Sequence, residues 1–171
     1  MTFSTPDQCF IVDTVTQDRY TFQFIPQSVQ DSKMANYADY AIQGRSSPLK
    51  GYHTSGARQL SFTLKMWAQP NQDDPTPSPS QIKQDVDLLR SLTYPDYDGG
   101  IKPPHLCYIQ IGENVRMFGV CKSVTVGYDA NQNVWDLGPG FAHGPTVSLV
   151  FEEVANNPLD TFDVRGGGYD F

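Results

Sequence analysis

Large apolar residues recur at every second position in Leu60, Phe62, Leu64 and Met66, with Ser61, Thr63 and Lys65 between them. A period of two marks a strand with one buried face and one wet face. The run Asp73-Asp74-Pro75-Thr76-Pro77-Ser78-Pro79 then suits neither a strand nor a helix interior. Beyond it the period changes. Ile82, Val86, Leu89 and Leu92 are spaced 4, 3 and 3 apart and fall on one helical stripe. Ser78 can cap this helix, Pro79 sits where a missing N–H costs nothing, and Gln81 completes a capping box. Asp85 and Asp87 early and Arg90 late suit the helix dipole, and Pro95 bars continuation. The spacing predicts one short α-helix, about 79–93, and the rest of the chain reads as strands and turns.

Among those strands, Cys9–Val12 and Arg19–Ile25 form an expected hairpin around the turn Asp13–Asp18, with Tyr20, Phe22 and Phe24 on one face. Gln27–Lys33 is polar and reads as a loop. Tyr37–Gln43 is compatible with a strand, and Pro48–Gly56 is ambiguous. Leu106–Ile111 and Val115–Tyr128 are strands around the turn Gly112-Glu113-Asn114, with Gly119 as a bulge or bend. Pro145–Val154 is the last strand. Residues 1–154 read as a single β domain, 1–8 as a flexible arm, and 155–171 as a tail that docks on a partner. The helix stripe is expected to cover the open end or one face of a strand barrel.

Composition sharpens this picture. Charged residues are only 18%, while Tyr (9), Phe (10), Gly (14) and Pro (13) abound, which favours strands joined by turns. A net charge of −7 argues against sequence-specific nucleic-acid binding, which needs a basic surplus. No apolar run approaches the ~20 residues of a membrane span. The start Met1-Thr2-Phe3-Ser4-Thr5-Pro6 does not read as a secretory signal, so synthesis in the cytosol is expected. Cys9, Cys107 and Cys121 are an odd set without framework spacing. Buried reduced thiols are the favoured reading, with a Cys107–Cys121 bridge as the alternative.

Candidate chemistry is sparse. His105 and Cys107 alternate on a strand with His53 elsewhere, short of the converging ligands zinc requires, so no metal or other cofactor is expected. Glu152 and Glu153 point to opposite faces of a strand, and Asp73-Asp74 reads as a solvated loop. No nucleophile constellation or phosphate-cradling loop stands out, so an enzyme is not expected. Trp135 and Phe141 in the loop 129–144, and Tyr169 and Phe171 in the tail, are candidate interface anchors.

Four segments resemble the tube-like baseplate proteins of contractile phage tails and related injection systems, a family that includes LysM-bearing adaptors and relatives without LysM. They are Phe24-Ile25-Pro26; Gly56 through Leu64 with its apolar-x-Phe-x-apolar strand; the helix Ile82–Tyr94; and Pro103-Pro104 to Gly112 followed by Phe118-Gly119-Val120 through Tyr128. Pro145–Glu152 is similar to the family's closing strand. The likeness covers roughly residues 20–154. No LysM module is expected after the barrel, and the loop 129–144 differs from the family's usual shorter link. The resemblance implies an antiparallel β-barrel or sandwich of the tail-tube type. It also implies a homo-oligomeric, roughly six-fold ring at the tube's end, linked to tube, hub and baseplate wedge proteins. The expected setting is the tail baseplate of a virion, assembled in the host cytoplasm, with DNA passing an acidic lumen. A carbohydrate- or peptidoglycan-binding β module, suggested by the loop and tail aromatics, is the competing reading.

Overall fold

The computed structural model describes residues 8–68, 77–97, 99–128 and 144–154. The described residues are mainly antiparallel β with one helix. Its elements are β1 (Cys9–Asp13), β2 (Arg19–Thr21), β3 (Val29–Ser32), β4 (Ala35–Tyr40), β5 (Leu49–Ser55), β6 (Gln59–Lys65), α1 (Pro79–Ser91), β7 (Leu106–Ile111), β8 (Val115–Gly127) and β9 (Thr146–Glu153). Seven strands form one sheet in the order β2-β1-β7-β8-β9-β6-β3, while β4 and β5 form a separate two-stranded ribbon.

β8 is the spine of the sheet. Its first half pairs with β7 from Val115 to Val120, and its second half pairs with β9 from Gly119 to Gly127. One residue is gained at a bulge between Cys121 and Ser123. The bend expected at Gly119 therefore lies a few residues further on. Gly119 serves a different purpose. A Cβ there would stand 2.5 Å from the carbonyl oxygen of Glu152, so only glycine lets the two backbones approach this closely.

The alternating side chains of the sheet point into one core. Ile11, Leu60, Leu64, Cys107, Ile109, Met117, Val147, Leu149 and Phe151 are buried there, each large aliphatic or aromatic contributing about 1.5–3 kcal/mol. Helix α1 adds Ile82, Val86 and Leu89 to that core. Its capping box forms as the sequence predicts: Ser78 N–H donates to Gln81 Oε1 (2.8 Å), and Gln81 N–H donates to Ser78 Oγ (3.4 Å). The rings of Tyr20, Phe22, Phe62 and Phe151 run in sequence through the core, with centroids 5.6–6.0 Å apart.

The sheet curls until β2 meets the end of β6. Gln23 closes the seam with its side chain: Trp67 N–H donates to Oε1 (2.8 Å) and Nε2 donates to the Trp67 carbonyl (2.6 Å). For this reason β2 stops at Thr21, short of the expected Ile25, and Phe24 is exposed instead of sharing a face with Tyr20 and Phe22. Residues 27–33, expected as a loop, contain β3, which pairs with β6 from Val29↔Phe62 to Ser32↔Gln59.

Candidate assembly surface

A strand laid on a core shows one apolar face. The segment 35–55 shows two. In the register Tyr37↔Tyr52, Ala38↔Gly51, Asp39↔Lys50 and Tyr40↔Leu49, Tyr37 and Tyr52 share a face with Asp39 and Lys50, while Ala38, Tyr40 and Leu49 share the other. On the first face the tyrosine rings meet edge-on at 5.9 Å and Lys50 pairs with Asp39 at 2.9 Å. On the second, Tyr40 lies over Gly51, where a Cβ would come 2.6 Å from its ring. The ribbon turns beyond Tyr40, where Arg45 N–H donates to the Ile42 carbonyl at 3.1 Å and Gly44 takes a left-handed φ of 87°. Exposure of the ribbon's apolar residues runs from 45% (Ile42) through Leu49, Tyr40, Tyr37 and Tyr52 to 71% at Met34, just before it. An isolated two-stranded ribbon is marginal in water, and apolar surface concentrated this way signals a partner.

The ribbon's root is anchored by charge. Arg58, just before β6, binds Asp31 of β3 through two nitrogens and lies 3.8 Å from Glu153 of β9. Lys33 reaches the same glutamate at 3.7 Å. Arg58 and Glu153 are largely buried, so the network is shielded from solvent and sets where the ribbon leaves the sheet. Its place confirms that Glu152 and Glu153 work separately, since Glu152 pairs with Lys122 at 2.6 Å.

A second exposed apolar group follows α1. Asp96 and Lys102 form an isolated antiparallel bridge, with Lys102 N–H donating to the Asp96 carbonyl at 2.8 Å, and their side chains pair at 3.2 Å. Between them Tyr97 is 71% and Ile101 83% exposed.

The chemistry of bond making is thin among the described residues. No group of three or more His, Cys, Asp or Glu side chains could hold a metal. The thiols of Cys107 and Cys121 are buried and free, and burial pushes both up to about 12, which keeps them protonated. His105 Nδ1 lies 2.7 Å from Asp13 Oδ2. Burial pushes the Asp13 carboxyl upward, but His105 and the N–H groups of Val15 and Thr16 outweigh it and leave the group below its ordinary value. This pair clasps the β1–β2 turn to the start of β7, an arrangement that Thr14 reinforces through N–H and Oγ1 bonds to the Leu106 carbonyl. No helix among the described residues is long and apolar enough to cross a membrane.

The candidate anchors Trp135, Phe141, Tyr169 and Phe171 all lie outside the described residues. The ribbon was the feature that reading by periodicity missed. Its signal in the sequence is that Tyr37 and Tyr40 stand three apart in an extended segment, so one must face away from any single core.

A family model described as contractile injection system tube protein matches residues 10–132, from β1 through β8 and beyond. No curated protein matches the chain. The matched region contains the sheet's spine, the helix and the exposed ribbon, and it covers well over half of the sequence. This chain therefore belongs to the contractile injection system tube protein family, as a structural component of such a tube.

Proposed function

We propose that copies of this chain form a roughly six-fold ring at the baseplate end of the tube, joined to hub and wedge proteins, with the ribbon 35–55 as a contact between copies. The observation that carries the reading is the ribbon itself: apolar on both faces, anchored at its root by ion pairs, and exposed along its length. β2 and β3, the outer strands of the sheet among the described residues, offer backbone edges as further pairing surface. A chain of net charge −7 would give a ring an acidic lumen past which DNA slides without adhering. The setting is a virion tail baseplate, assembled in the host cytoplasm. The end position draws on the likeness to baseplate tube proteins, and the tail 155–171 and the anchors Trp135, Phe141, Tyr169 and Phe171 are further proposed contacts there.

Electron microscopy and sedimentation of the purified chain test this. The wild type is expected to form rings or stacked discs. The double variant Y40S/L49S is expected to stay monomeric with an almost unchanged melting temperature, because neither side chain packs on the core. A monomeric wild type that is retained on a cell-wall column would replace the proposal with the carbohydrate-binding reading. Subunits found evenly along the whole shaft of an intact particle would remove the end position.

A further inference from the structure

The chain enters the sheet from one exposed apolar feature and leaves it toward the other on opposite sides of a single row of paired residues. Successive antiparallel pairings β3-β6, β6-β9, β9-β8 and β8-β7 make β3 and β7 run in the same direction. The ribbon follows the last residue of β3, whereas the loop closed by Asp96 and Lys102 leads into the first residue of β7. The registers Ser32↔Gln59, Gln59↔Glu152, Glu152↔Val120 and Val120↔Leu106 put the end of β3 and the start of β7 in one row, so the chain leaves toward the ribbon on one side of that row and arrives from the loop on the other.

Their chemistry also corresponds. The ribbon face bearing Tyr40, Ile42 and Leu49 is apolar, and so are Tyr97 and Ile101 on the loop. Copies of a chain with a net charge of −7 repel one another, so they meet most easily where charge is locally low or of opposite sign. Both features carry little charge, and what each retains is opposite in sign, Arg45 in the ribbon segment and Asp98 in the loop sequence. Lys50 neutralises Asp39 on the ribbon, and Lys102 neutralises Asp96 at the loop's base. Closure by two backbone hydrogen bonds and an ion pair holds the loop's base in place before contact, which reduces the ordering cost of binding.

Building on the proposed role of the ribbon, we infer that Tyr97 and Ile101 form the seat on which the Tyr40–Leu49 face of a second copy's ribbon docks. The contact is head-to-tail: each copy offers its ribbon to one neighbour and its loop to another, so it repeats without limit along a stack or closes around a ring.

The test has two arms. In the first, Y97S/I101S is compared with wild type by sedimentation across a concentration series. The variant should need about tenfold or more protein to assemble, as for loss of an apolar anchor pair, while its melting temperature stays at the wild-type value. In the second, L49C and I101C are mixed under mild oxidation. Because the native thiols are buried, a disulfide-linked dimer should appear in the mixture well above the level of either variant alone. Wild-type assembly by Y97S/I101S, or equal dimer yields from the single variants, overturns the inference and leaves the ribbon's role standing. A wild-type chain that never assembles removes the ribbon's role as well.

Discussion

Replacing Gly119 with alanine tests whether the spine of the sheet is drawn correctly. The glycine sits where β8 passes from β7 to β9, opposite Cys107 on one side and Glu153 on the other. Its backbone is not in a glycine-only conformation, so strain at φ plays no part. The cost is steric. The added methyl would lie 2.5 Å from the Glu152 carbonyl oxygen and 3.1 Å from its carbon, both backbone atoms held in the ladder, and 3.3 Å from Met117 Cε. Overpacking against a rigid neighbour costs about 1–3 kcal/mol, and the upper half applies here because no side chain can swing clear. For a chain of this size, about 2–3 kcal/mol lowers the melting temperature by roughly 4–12 °C. Gly127→Ala is the internal control. Its methyl would meet Thr146 Oγ1 at 2.9 Å, a side-chain atom that can rotate away, so its loss should stay below about 1 kcal/mol. Thermal unfolding followed by circular dichroism reads both. If G119A melts with the wild type, or if G127A falls further than G119A, the close approach of β8 to β9 is wrong.

Other substitutions probe separate parts of the fold. The Asp13 carboxyl titrates below its ordinary value, so the stability it contributes is complete above its unfolded pKa and is lost as pH falls through the folded one. Asp13→Asn should therefore flatten the acid side of a melting-temperature-versus-pH curve below about pH 4, and an unchanged acid slope would count against the clasp. Ser78→Ala removes the oxygen that accepts from Gln81 N–H and should cost about 1 kcal/mol in chemical denaturation; a neutral result would mean that α1 does not depend on its cap.

Much of this architecture is legible in single stretches of sequence. Leu60, Phe62 and Leu64 alternate because β6 lies between β9 and β3 with one face on the core, and that environment repeats every two residues. The start of α1 is legible because a capping box is a local hydrogen-bond pattern needing no distant partner. β3 is not legible. Its Gln30, Asp31 and Ser32 are exposed, and the strand exists because the β6 backbone offers it a ladder, which no local periodicity records. Phe24 misleads in the opposite direction: it continues the alternation of Tyr20 and Phe22, but Gln23 has already turned the chain into the seam with Trp67. The assembly surface was hardest to read. An apolar residue destined for a neighbour looks the same, in one sequence, as one destined for the chain's own core.

The Gln23 seam has a consequence for how the molecule breathes. Among the described residues, neighbouring strands of the sheet are laced by several backbone bonds, but at this line the Gln23 side-chain amide grips the N–H and carbonyl of Trp67. Local opening should begin there, so the Trp67 amide proton should exchange with deuterated solvent well before those of Val147 and Leu149 on the interior strand β9. Uncurling along that line would free β2 without breaking the long β8–β9 ladder, giving the subunit a hinge with which to adjust its curvature when neighbours crowd against it.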